Sequence, residues 1–183
     1  GEANAIAVRL ARAASGRDKI AICGYHGWHD WYLSANLNTS SSQGILKDHL
    51  LPGLSTKGVP KNLKNTVYPF KYNDYKSLEK ICSNNNIGVI KMEIFRNYPP
   101  KNNFLQKVRK LASRKKIVLI FDECTSGFRE SYGGLHLNYK VYPDMCILGK
   151  ALGNGFPITV VLGKKEIMDN AQSSFISSTF WTE

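Results

Sequence analysis

Apolar residues recur along this chain with two different periods. Between residues 2 and 15, Ile6, Leu10, Ala11 and Ala14 fall on one helical face, and Gly16 follows as a stop. The run KIAIC (19–23) reads as a short strand and gives way to an aromatic loop, GYHGWHDW (24–31). From Asn36 to Tyr72 the chain is rich in Ser, Asn, Gly and Pro, which predicts a long irregular excursion. Asn73 is placed to cap a helix running to about Ser83, with Tyr75, Leu78, Ile81 and Cys82 inward. IGVIKM (87–92) is a strand ending near Glu93, and residues 103–114 are helical, with Leu105, Val108, Leu111 and Ala112 on one side. IVLIF (117–121) shows no alternation, the pattern of a strand buried on both faces. DMCILG (144–149) and ITVVLG (158–163) add two strands, and KKEIMDNA begins a last helix.

Strands alternating with helices predict an α/β fold with a mainly parallel sheet flanked by helices. In such sheets ligands bind beyond the carboxyl ends of the strands. Three ionisable residues fall at those ends: Glu93, Asp122 and Lys150.

Composition narrows the partners. Of 183 residues, 43% are hydrophobic and 21% charged, as in an ordinary globular protein, and no run approaches the length of a membrane span. The formal charge of +11 would suit a polyanion, yet the basic residues are scattered without an aromatic-interleaved stripe. A general enrichment in Lys and Asn explains the charge more simply than a nucleic-acid face. The four cysteines form no CxxC, and no His pair stands at zinc spacing, so buried thiols in a reducing, cytoplasmic compartment are expected and a metal site is not. The chain opens on GEANAIAVRL without an initiator methionine, and we expect an internal piece of a longer protein, incomplete at both ends.

Asp122 follows five apolar residues, where a carboxylate needs a compensating cation; capping of the next turn is the simpler alternative. Lys150 follows an apolar strand, where desolvation would favour the free amine a Schiff base requires; a surface lysine closing a strand is its alternative. Together the two fit pyridoxal phosphate, which needs a lysine for its aldehyde and an acid opposite its ring nitrogen. Tyr25 and Trp28 are candidates for a ring face, and the GEA start of the first helix for the phosphate. Other nucleotide motifs fail. Gly149-Lys150 is followed by Ala151 rather than Ser or Thr, and no G-x-G-x-x-G turn follows a strand.

These residues resemble a known family. GEANAIAVRLARAASGRDKI, GYHGWHD, FDECTSGFRESYGG, PDMCILGKALGNGFP and SSTFWTE, in this order, are similar to the class III aminotransferases, and within them to the glutamate-1-semialdehyde aminomutase branch. The resemblance implies the large, cofactor-binding domain of a fold-type I pyridoxal 5'-phosphate enzyme over residues 1–183. It implies that Lys150 carries the cofactor as a Schiff base and shuttles protons, and that Asp122 pairs with the ring nitrogen. Tyr25 would stack on one ring face and Cys124 lie near the other. Gly1 would hold the phosphate through its backbone, and Glu93 would stand near the ring. Thr179 would reach the neighbouring subunit's phosphate, which implies a homodimer with shared sites. Small-molecule amino donors and acceptors are the implied partners, through aminotransferase or aminomutase chemistry. Cys124 replaces a usual Val, Ile94 a common Pro and Asn154 a frequent Gly. The alternative is an inactive fragment or paralogue of the same fold, with a binding or assembly role.

Overall fold

The structure, a computed structural model, describes residues 1–177; Thr179 lies outside the described residues. Six strands form one sheet: β1 (Lys19–Cys23), β2 (Val67–Pro69), β3 (Ile87–Glu93), β4 (Val118–Glu123), β5 (Met145–Leu148) and β6 (Val160–Gly163). Their order is β2-β1-β3-β4-β5-β6, parallel throughout except for β6, which runs antiparallel to β5. The mainly parallel sheet expected from the sequence is therefore present. One strand was not expected. β2 lies within the polar 36–72 stretch, is three residues long, and ends on Pro69 at a sheet edge, where a missing N–H costs no ladder bond.

Helices cover both faces. α1 (Glu2–Ser15) stops at Gly16, whose φ of 63° lets its N–H reach the Arg12 carbonyl. It buries Ala7, Leu10 and Ala11 against Ile20, Ile22, Val89, Ile120 and Ile147. A one-turn helix, α2 (Asp30–Leu33), packs beside it through Trp31 and Tyr32. On the opposite face, α3 (Tyr75–Asn84) and α4 (Phe104–Arg114) set Leu78, Leu105, Val108 and Leu111 against Ala21, Ile90, Leu119 and Phe121. Each fully buried leucine contributes about 1.5–3 kcal/mol of transfer energy, which fixes the face each helix presents. A short α5 (Lys165–Met168) returns to the α1 side through Ile167.

The α3 cap is Asp74 rather than the expected Asn73: its carboxylate accepts the Ser77 N–H at 3.0 Å. Asn73 instead takes a left-handed φ of 64° and ties the 99–101 loop, accepting from the Lys101 N–H and donating to the Pro99 carbonyl.

Candidate active site

The parallel strands β3, β4 and β5 end on one side of the sheet and deliver Glu93, Asp122 and Lys150 there. A cavity of about 260 Å³ lies at these ends. Its wall includes Gly1, Tyr25, Glu93, Asp122, Cys124 and Lys150, six of the residues expected from the sequence. Trp28, the other aromatic candidate, does not line it and is 72% exposed. Asn4, Gly27, Thr125, Gly149 and Thr159 complete the wall and were not anticipated.

The aromatic loop after β1 shapes one side. Tyr32 donates its hydroxyl hydrogen to the Gly24 carbonyl at 2.9 Å, which folds the loop back over the sheet. That fold drives His26 inside, between the Trp31 ring and the edge of Tyr32. Gly27, at φ 100°, lies so close to Gly1 that a Cβ there would stand 2.9 Å from the Gly1 Cα. This part of the wall is consequently bare backbone, next to the unpaired N–H groups of the first turn of α1.

Asp122 is the second-last residue of β4 and is buried. Its Oδ2 accepts a hydrogen bond from His26 Nδ1 at 2.8 Å and lies 3.5 Å from the Lys91 ammonium; its Oδ1 accepts the Cys124 N–H at 3.2 Å. Burial alone would raise this carboxyl, but Lys91, His26 and the Cys124 N–H outweigh it and hold the group well below the usual carboxylate range. His26 is pushed down to about 4, first by burial and then by the Lys91 charge, so it donates to Asp122 as a neutral ring and leaves Nε2 buried without a partner.

The compensating cation of Asp122 is thus Lys91, a lysine of the neighbouring strand inside the run IGVIKM. Its signal was a charge inside a strand otherwise apolar on both faces. Capping by Asp122 is limited to the Cys124 N–H two residues on.

Lys150 departs from expectation in another way. It is exposed rather than desolvated, opens a 3₁₀ turn (Lys150–Gly153), and has a left-handed φ of 47°. Its Nζ donates to Thr125 Oγ1 at 2.7 Å. Glu93 accepts the Tyr25 N–H at 3.1 Å and pairs with Arg96 at 2.9 Å. Burial, ahead of these partners, raises its carboxyl. Burial also pushes the Cys124 thiol up to about 12, with Asp122 adding to it, so the thiol packs as a small neutral group.

Among the described residues, Glu123, His136 and Cys146 bring possible metal-ligand atoms within 4.8 Å of one another. The Glu123 oxygens already accept from Ser126 Oγ, the Leu135 N–H, and the backbone and ring of His136. Those donors fill the carboxylate's lone-pair sites.

The fold is that of the large domain of fold-type I pyridoxal-phosphate enzymes, as its structural neighbours show. The sequence model of the aminotransferase class-III family matches residues 1–183, and the chain belongs to that family. It is 38% identical over 98% of its length to a 3-aminobutyryl-CoA aminotransferase of Cloacimonas acidaminovorans. It is also 38% identical over 92% of its length to a glutamate-1-semialdehyde 2,1-aminomutase of Sulfolobus acidocaldarius. An omega-transaminase from Sphaerobacter thermophilus superposes with a TM-score of 0.75, at 32% identity over 91% of this chain and 39% of that one. The chain spans 41% and 40% of the two curated relatives.

Proposed function

We propose that this chain is the cofactor-binding large domain of an enzyme that transfers amino groups with pyridoxal 5'-phosphate. The observation that carries the reading is one cavity walled by both Asp122 and Lys150, an anionic carboxylate and a primary amine at neighbouring strand ends. The site fits the cofactor in three further respects. Gly27 packs so closely on Gly1 that the wall there is backbone, the Asn4 Oδ1 in the same wall is buried without a donor, and Tyr25 offers a ring face. When bound, the cofactor supplies an electron sink for the carbon that loses its proton.

The protein's own groups do the rest. Lys150 would hold the cofactor's aldehyde through its Nζ and, as a free amine, would carry the proton of the 1,3-prototropic shift; Thr125 keeps that amine at the cavity. Asp122 would hold a proton on the ring nitrogen, and His26 orients the carboxylate for it. Backbone N–H groups from Gly1 into α1 would bind the phosphate. Cys124 would pack against the other ring face, and Glu93 sets the polarity beside Tyr25.

The substrates are small-molecule amino donors and acceptors, by aminotransferase or aminomutase chemistry. Thr179 serves the partner's phosphate in a homodimer. The compartment is the cytoplasm, whose reducing conditions suit the four free thiols.

Incubation with pyridoxal phosphate followed by borohydride reduction and peptide mapping tests the reading. Label on Lys150 is expected. Label confined to any other lysine would overturn it.

A further inference from the structure

Lys91 is the feature of this site for which amino-group transfer by itself gives no reason. Its side chain is fully buried on β3, and its Nζ has no hydrogen-bond partner. A buried ammonium persists only against a counter-charge, and the carboxylate of Asp122, 3.5 Å away, supplies it. The groups that face Lys91 are few. Asp122 on β4, Cys124 just beyond it, Cys146 on β5 and His26 from the loop after β1 act on it. Glu93, two residues along β3, is engaged with Arg96 and the Tyr25 N–H. α1 covers this face with Ala3, Asn4, Ala7, Val8, Leu10 and Ala11, none of them charged. His26 is neutral and the thiols are protonated. The cluster therefore holds one anion and one cation.

A pyridinium nitrogen arriving at Asp122 would bring a second cation to the same carboxylate. Two positive charges around a single buried anion leave one of them uncompensated, and burial charges heavily for that. Lys91 is the cation that yields more readily, since desolvation already favours its neutral amine.

We propose that Lys91 and the cofactor's ring nitrogen share one compensating charge at Asp122, so that binding of the protonated ring expels a proton from Lys91. The inference rests on the functional reading above. In the step, one Nζ–H bond breaks, the electron pair stays on nitrogen, the proton passes to solvent, and nothing is oxidised or reduced. Lys91 thereby becomes a positioning residue acting through Asp122. It lowers the cost of keeping a carboxylate buried and tunes how firmly that carboxylate holds the ring proton.

The test counts protons rather than turnover. Pyridoxal phosphate is titrated calorimetrically into the cofactor-free full chain in two buffers of different ionisation enthalpy. The same is done for Lys91→Met and Lys91→Gln, the second of which, one atom shorter than lysine, keeps an N–H to offer Asp122. Wild type should release about one proton per site more than either variant, and its affinity should gain up to about tenfold per pH unit relative to theirs. Equal proton counts with intact cofactor binding overturn the proposal and leave the functional reading standing. Failure of the wild type to bind pyridoxal phosphate at all overturns both. If neither variant folds, a protein that keeps Lys91 decides through the ¹³Cε signals of labelled lysines. Cofactor binding should then produce a neutral-amine lysine signal in the Lys150→Ala protein, and its absence overturns the proposal.

Discussion

Asp122 and Asp144 are both buried aspartates held by cations, one at the carboxyl end of β4 and the other at the amino end of β5. Asp144 accepts the Leu119 N–H at 2.9 Å and pairs with Arg109 at 2.9 Å and Lys164 at 2.7 Å. Its own N–H and carbonyl bind Leu119 and Lys164, so it joins β4, β5, β6 and α4 at one point. Both of its cations keep contact with water. Lys91, beside Asp122, does not. Burial and charge pairing alone therefore say nothing about chemistry. What separates the two is the amine beside each: Asp122 shares its cavity with Lys150, which is not its ion-pair partner, whereas in the separate cavity that Asp144 lines the amine is Lys164, already its salt-bridge partner.

The largest effect should come from the amine that shares this cavity. Lys150→Ala should keep cofactor non-covalently and lose about 10⁴-fold or more in turnover, since both the attachment point and the proton carrier disappear. Single-turnover kinetics on the purified variant check this. Residual activity near wild type would separate Asp122 from any reacting amine.

Acid should then open the two ends in sequence. His26 and His49, whose Nδ1 accepts the Gly24 N–H at 3.1 Å, are both depressed to about 4, chiefly by burial. The folded protein holds those protons less tightly than the unfolded chain. Their contribution is complete above about pH 6.5 and is lost as pH falls toward 4, up to about 3 kcal/mol for each. Asp144 is also depressed: burial opposes this, but Lys164, the Leu119 N–H and Arg109 prevail. Its contribution survives until pH drops below the ordinary aspartate range. Hydrogen exchange should therefore show the Gly24 and Cys124 amides losing protection at a higher pH than that of Leu119. Simultaneous loss would make the two ends one cooperative unit.

Neutralising each aspartate sharpens the contrast. Asp122→Asn should reduce amino transfer about 10²-fold, or ~3 kcal/mol of barrier. Its stability cost is limited because Lys91 can shed its proton once its counter-ion is gone. Asp144→Asn strands Arg109 and Lys164 and should cost about 1–3 kcal/mol of stability while leaving turnover per folded molecule nearly unchanged. Denaturation midpoints and turnover on the same samples distinguish the two patterns. Cys124→Val should change least, within about 1 kcal/mol, because the bond to Asp122 comes from its backbone and the side chains are similar in volume.

Much of the fold was legible because the central strands are continuous apolar runs, a signal that survives without any knowledge of partners. β2 was not: three residues ending in proline carry no period at all. Asp122 and Lys150 could be placed because each terminates such a run. His26 and Lys91 could not, since their meaning depends on strand register. The pairing Lys91↔Ile120 puts the lysine one pleat from Asp122, and the loop after β1 must fold inward before His26 meets it. The exposure of Lys150 was missed for a related reason. The chain leaves β5 through a left-handed turn, and residue order does not announce where that turn aims a side chain.

That turn has a consequence for how the protein can be improved. A lysine at φ 47° carries roughly 1–2 kcal/mol of backbone strain that glycine would not. Lys150→Gly should therefore be about 1 kcal/mol more stable than Lys150→Ala toward denaturant, though neither can react. Selection for thermal robustness alone would press on this position to abandon its amine. Under the proposed function, any stabilised version of the protein must find its gains elsewhere, for residue 150 would hold activity and durability in opposition.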